Sequence, residues 1–118
     1  MMVKRPQPKI SEQQVQKDIL DYLKFMKIDA WKNHSTGIKK PDGGWIPVGK
    51  KGASDILGVL PTGRFLAIEV KRPHPRKPPS EDQQKFIDMI KKNNGVAFVA
   101  YCLDDVIEKL GFNPFKAI

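Results

Sequence analysis

Residues 55–71 read DILGVLPTGRFLAIEVK, two apolar runs joined by Pro61-Thr62-Gly63-Arg64. Two consecutive strands that are apolar on both faces must be covered above and below, so this hairpin belongs at the centre of a sheet with helices on it. Gly63 can take the positive φ that the reversal needs. Outside the turn, charges stand only at the open end. Asp55 opens the first strand, and Glu69 and Lys71 close the second. Side chains alternate along a strand, so Glu69 and Lys71 share one face while Val70 points to the other, its carbonyl available as a ligand. Charges in so apolar a setting are costly unless paired or bound to a metal. An Asp and a Glu joined by a hairpin beside a Lys can hold a divalent cation and activate a water, the outline of a phosphodiester-cutting site. Taken singly, the same residues also read as a cross-strand ion pair at a sheet rim with Asp55 capping a turn.

The flanking segments supply the helices. Ser11 and Gln14 make a capping-box pattern, with Ile10 and Val15 at hydrophobic-staple positions. Val15, Ile19, Leu23 and Met26 then recur at helical spacing. A short strand is expected over residues 28–32. Residues 33–54 are rich in Gly and Lys, with a turn at Pro41-Asp42-Gly43-Gly44, and read as a long irregular stretch. After Lys71, RPHPRKPP holds four prolines and cannot be regular structure. Ser80 with Gln83 marks a second capping box. Phe86, Ile87 and Ile90 give that helix its apolar face, and Gly95 is placed to stop it. Residues 96–101 are β-rich, and a last helix is expected from Leu103 to Leu110, ended by Gly111. The order α-β-β-β-α-β-α predicts an α/β fold, a mixed β-sheet core flanked by helices.

Two polar residues fall on apolar helix faces. With ~100° per residue, Glu12 lies on the stripe of Val15, Ile19, Leu23 and Met26. Gln83 faces the same way as Phe86, Ile87 and Ile90, whereas Gln84 is rotated off that face. Both therefore look toward the hairpin's charges. Each also has a plainer reading: Glu12 complements the helix dipole, and Gln83 is only the capping partner of Ser80.

Composition narrows the partners. The chain of 118 residues suits one domain, with residues 1–9 a loose basic arm and residues 10–118 the folded unit. A net charge of +8 favours a polyanion, nucleic acid before membrane. No apolar stretch approaches the ~20 residues that span a bilayer. The single cysteine, Cys102, fits a reducing, cytoplasmic setting. His34 and His74 sit among loop signals without a second ligand at metal spacing. Neither a G-x-x-x-x-G-K-[ST] phosphate loop nor a G-x-S-x-G elbow occurs. Lys39, Lys40, Lys50 and Lys51 before the hairpin, and Arg72, Arg76 and Lys77 after it, flank the proposed site and are candidate phosphate contacts. Lys17, Lys24 and Lys91 on the helices read as a solvated face.

Gly52-Ala53-Ser54-Asp55, then Glu69-Val70-Lys71, then Ser80-Glu81-Asp82-Gln83 with Phe86, resembles the VRR-NUC family of the PD-(D/E)XK nuclease superfamily. The likeness runs over residues 52–101, with the first helix and Glu12 in the expected place. E-x-K alone is a weak signal, but the ordered set of G-x-x-D, hairpin, E-x-K, proline-rich loop and S-x-x-Q is much stronger. Ser54 stands where the family usually has Pro, a turn-shaping position that supplies no ligand. The resemblance implies a restriction-endonuclease-like fold in which Asp55, Glu69 and the Val70 carbonyl bind Mg²⁺ or Mn²⁺. It further implies that Lys71 orients or polarises the attacking water and stabilises developing charge. Glu12 would complete the acidic cluster, and Gln83 would position nucleophile or phosphate. Oxygen ligands suit such hard cations, and a metal lowers the pKa of bound water.

Stand-alone members of the family resemble Holliday-junction resolvases, which work as homodimers. The leading expectation is a metal-dependent, structure-selective DNA endonuclease, most of all a Holliday-junction resolvase, cutting branched DNA as a two-fold homodimer. Residues 96–101 with Phe112 and Phe115 are candidates for the dimer surface. A flap, nicking or restriction-type nuclease is the alternative within the class, and a non-catalytic basic nucleic-acid-binding module is the alternative outside it. The intact Asp55, Glu69 and Lys71 set speaks against the last.

Overall fold

The structure is a computed structural model that describes residues 9–34, 37–47 and 49–111. The basic arm, apart from Lys9, and Phe112 and Phe115 lie outside the described residues.

Helix α1 (Glu12–Phe25) begins where the Ser11 side chain accepts from the Gln14 amide at 3.1 Å. Only half of the expected capping box forms there, because the Gln14 side chain donates to Asp18 instead. Val15, Ile19, Tyr22 and Leu23 are buried along it, and Ile10 stays half exposed. Strand β1 (Asp29–Lys32) follows. The stretch expected to be irregular contains a small two-stranded ribbon, β2 (Gly37–Lys39) and β3 (Trp45–Pro47), hinged on the Pro41-to-Gly44 turn. Its three-residue strands are too short for a period-2 pattern to stand out.

The hairpin is β4 (Ile56–Val59) and β5 (Phe65–Val70), turned with Gly63 at φ 88°. Helix α2 (Glu81–Lys92), strand β6 (Val96–Ala100) and helix α3 (Leu103–Leu110) follow and complete the described elements. Gly111 ends α3 at φ 67°, its amide donating to the Ile107 carbonyl. Helix α2 ends differently from expectation. Asn94, not Gly95, takes the left-handed conformation, at φ 66°. Gly95 is needed because a Cβ there would overlap the Ile90 side chain.

The main sheet runs β1-β4-β5-β6, with β1, β4 and β5 antiparallel and β6 parallel to β5. The hairpin is therefore central. Helices α1 and α3 cover one face, over Ile56, Leu66, Ile68, Val70, Phe98 and Ala100. Helix α2 covers the other, packing Phe86 and Ile87 on Ala67 and Ala97. This is the mixed α/β architecture that the element order implied, and it is consistent with the restriction-endonuclease-like fold that the resemblance implied. Burial is uneven along the hairpin: Val59 and Phe65 at the turn end are exposed, whereas every residue from Leu66 to Val70 is buried. The charged end is the deep end.

Candidate active site

The strand register builds the site. Ile56 pairs with Ile68 and Leu57 with Ala67, so the antiparallel count carried one residue outward sets Asp55 opposite Glu69. Leu57 and Ala67 lie on the α2 face, so Asp55, Glu69 and Lys71 share that face by alternation. Asp55 is anchored through Oδ2, which accepts the Val70 amide at 2.8 Å. The Val70 side chain is fully buried against the opposite layer.

Helix α2 then adds Gln83. Its Oε1 accepts from the Ser80 amide at 2.8 Å and from Lys71 Nζ at 3.0 Å, while its Nε2 donates to Glu69 Oε1 at 2.8 Å. The capping box is complete, with Ser80 Oγ accepting from the Gln83 amide at 3.2 Å. The capping and the site readings of Gln83 are thus one arrangement: the cap holds the amide so that its other end meets the acid. Gln84 is exposed and donates to Asp88, in keeping with its place off the face.

Among the described residues, Glu69 is the most perturbed group. Its side chain is almost wholly buried, and Lys71 Nζ stands 3.9 Å from its Oε1. Burial, first, and the Asp55 charge, second, push its carboxyl up to about 8, with a hydrogen bond to Asp55 adding to the rise and Lys71 opposing it. Glu12 raises it further, the weakest of these causes. Glu69 Oε2 is buried without a hydrogen-bond partner. A buried carboxylate oxygen left open next to a second carboxylate fits a hard divalent cation, whose charge would offset the repulsion that raises the Glu69 carboxyl.

The sequence-expected residues separate here. Asp55, Glu69, Lys71 and Gln83 converge. Glu12 is exposed and acts on Glu69 only through its charge, and among the described residues no three His, Cys, Asp or Glu side chains gather at metal-binding spacing. His34 and His74 are exposed. The basic residues Lys39, Lys40, Lys50, Lys51, Arg72, Arg76 and Lys77 are all exposed. Two of them have partners: Lys51 lies 3.5 Å from Asp82, and Arg76 stacks 4.7 Å above the Tyr101 ring. Tyr101 in turn donates to the Lys77 carbonyl at 2.7 Å, pinning the proline-rich loop beside the site.

Two supporting residues have tertiary roles that their local sequence does not announce. The Asn33 amide donates to the Asp55 carbonyl at 2.7 Å, and its side chain donates to the Ser54 carbonyl at 3.3 Å. Gly52 has φ 75°, and a Cβ there would overlap the Asp82 carbonyl at the start of α2. The loop that carries Asp55 can approach the helix that carries Gln83 only because residue 52 lacks a side chain. Gly52→Ala should therefore lower unfolding free energy by about 2 kcal/mol or more, from left-handed strain plus that overlap. Urea denaturation measures it, and an unchanged midpoint would contradict the close approach. Only the G-x-x-D spacing hinted at this.

The raised Glu69 carboxyl also makes a pH prediction. Below the unfolded value of about 4.5 the group is protonated in both states, and its full contribution is present. Between there and about 8 the unfolded chain ionises while the folded one keeps its proton, so stability falls as pH rises. Without added metal, Glu69→Gln should gain stability relative to the parent between pH 5 and pH 8. Parallel pH profiles of the two urea midpoints would refute this.

No described helix is long and apolar enough to cross a membrane. Comparison with curated proteins and with solved structures finds no match. The family model of the VRR-NUC domain matches residues 11–103, a span running from the cap of α1 to the start of α3 and enclosing every converging residue of the site. That domain is a nuclease domain with DNA as its substrate. On this match over most of its length, the chain belongs to the VRR-NUC family of nucleases.

Proposed function

We propose that the protein is a metal-dependent endonuclease that hydrolyses phosphodiester bonds in branched DNA, acting as a Holliday-junction resolvase. The observation that carries the catalytic part is the meeting of Asp55, Glu69, Lys71 and Gln83 at the deep end of the hairpin, with Glu69 Oε2 left open. Asp55 and Glu69, with the Val70 carbonyl, would hold Mg²⁺ or Mn²⁺, and Glu12 would act on the cluster through its charge. When bound, the ion lowers the pKa of a water and neutralises phosphate charge.

The chain's own residues do the rest. Asp55 is aimed by the Val70 amide, so its carboxylate cannot swing away from Glu69. The Lys71 ammonium, held by Gln83, orients the attacking water and offsets the negative charge that develops on the phosphate oxygens. Gln83 acts as a positioning residue, fixing both Lys71 and Glu69 from one capped helix end. Lys39, Lys40, Lys50, Lys51, Arg72, Arg76 and Lys77 hold the DNA backbone and leave bases unread.

The site as described cuts one strand per protomer, so paired incision of a junction calls for two copies related by a two-fold axis. The testing experiment incubates the protein with four-way junction, flap, duplex and single-stranded DNA in Mg²⁺, Mn²⁺ or EDTA, alongside light scattering. Cleavage only with metal, preference for the junction and a dimeric mass are expected. Metal-independent cutting would remove the metal assignment. A monomer that nicks duplex as readily as a junction would remove the resolvase reading and leave the nuclease one.

A further inference from the structure

Ribbon β2–β3 is built unlike the rest of the molecule. Ile38 pairs with Ile46 and Lys39 with Trp45, so alternation places the two isoleucines on one face and the Lys–Trp pair on the other. Trp45 is 64% exposed, Ile38 58% and Ile46 46%. Among the described residues, no helix or strand of the main body packs extensively on either strand. A two-stranded hairpin alone is marginal in water, so large apolar side chains on an uncovered one point to a surface completed by a partner.

The ribbon's root indicates which partner. The chain leaves the main sheet at Asn33, whose amide is bonded to the Asp55 carbonyl, and returns through Gly52, which touches the start of α2. Both ends are thus tied to the rim that carries Asp55 and Gln83. The charges are suited to a polyanion: Lys39 and Lys40 are exposed, and Lys50 and Lys51 follow on the return. Asp42, the acid at the tip, is used in shaping the turn, its Oδ1 accepting the Gly44 amide at 2.9 Å.

We propose that the β2–β3 ribbon is a DNA-contacting arm in which Trp45 stacks on an unpaired base at a branch point while Lys39 holds the neighbouring phosphate. This rests on the reading of the protein as a nuclease of branched DNA and names the residue that would recognise the branch. Every base offers a π-face, so stacking tolerates any sequence. In continuous duplex those faces are already stacked on neighbouring pairs, so Trp45 gains a partner only where bases are unpaired or splayed. Lys39 contributes on either substrate, because phosphate contact does not distinguish them.

The test is equilibrium binding by fluorescence anisotropy in EDTA, where cleavage does not interfere, using a four-way junction and a linear duplex of equal length at one salt concentration. Trp45→Ala should weaken junction binding about ten-fold and duplex binding by less than about two-fold, and Trp45→Phe should stay near the parent on both. Lys39→Ala should weaken both alike. In a Trp31→Phe background, Trp45 emission should be quenched by the junction more than by the duplex. Unfolding midpoints should not move, because Trp45 lies outside the core. A Trp45→Ala protein that binds the junction as the parent does would overturn the proposal. So would a shift from dimer to monomer with junction affinity per dimer unchanged, which would make a second copy of the chain the occupant. Junction binding that depends on Trp45 without any cutting would remove the nuclease reading and leave the arm.

Discussion

Asp55→Asn, Glu69→Gln and Lys71→Ala should each lower the rate of strand cleavage by roughly 10²–10³-fold or more, while DNA binding measured in EDTA stays within about two-fold of the parent. The proposed chemistry needs two adjacent carboxylates to hold the ion and an ammonium to meet the developing charge. Asp55→Asn keeps the shape but removes the charge opposite Glu69, and Glu69→Gln replaces one oxygen of the pair of which Oε2 stands open. Lys71→Ala leaves Gln83 Oε1 with only its Ser80 bond. The three residues act as one unit, so a double variant should lose little more than the worse single one. Gln83→Ala should be milder, about 10- to 100-fold, since it loosens Lys71 and Glu69 without removing either. Gln84→Ala should be nearly silent, because its amide serves only Asp88 on the exposed face. Single-turnover cleavage of a labelled junction measures all five. Glu69→Gln cutting at the parental rate would end the assignment, and equal losses at positions 83 and 84 would end the helix-face argument.

DNA affinity should fall steeply with salt. Seven flanking cations are proposed as phosphate contacts, of which Lys51 and Arg76 already have internal partners. Five to seven contacts imply a log–log slope of about −4.5 to −6.3 for each protomer engaged, so raising salt four-fold, from 50 to 200 mM, should weaken binding roughly 10³-fold per protomer. Lys40→Ala or Arg72→Ala should each reduce that slope by about one and weaken binding equally on unrelated sequences. Lys51→Ala should reduce it less, because its loss also frees Asp82. A slope near zero, or affinity that depends on base sequence at constant salt, would show that the basic residues are a solvated face.

What short stretches of sequence determine was legible from them. Caps at Ser11 and Ser80, the Gly63 turn and the Gly111 stop depend on backbone geometry within a few residues, and each appears where the pattern put it. The apolar runs of the hairpin likewise required a central, doubly covered position, because nothing else removes both faces from water. Alternation and helical pitch were enough to aim Glu69, Lys71 and Gln83 at one another, since both periods are properties of the backbone itself. The family match over residues 11–103 agrees with the motif order.

Other features depended on residues far apart in the chain. That Asp55 stands opposite Glu69, with its carboxylate on the Val70 amide, is a matter of register between strands. Glu69's raised carboxyl follows from burial and the Asp55 charge together, neither of which resides in the residue. Gly52 reads locally as a turn glycine, but its requirement comes from the Asp82 carbonyl thirty residues on. Glu12 shows the converse. Helical pitch places it on the apolar stripe, yet at the first position of α1 it lies beyond the covered part of that stripe and remains exposed. Ribbon β2–β3 escaped a periodicity reading because three-residue strands carry almost no pattern, and pairing between Ile38 and Ile46 is visible only once the turn has closed. Local geometry is written in neighbouring residues, whereas register, burial and field arise only when distant segments meet.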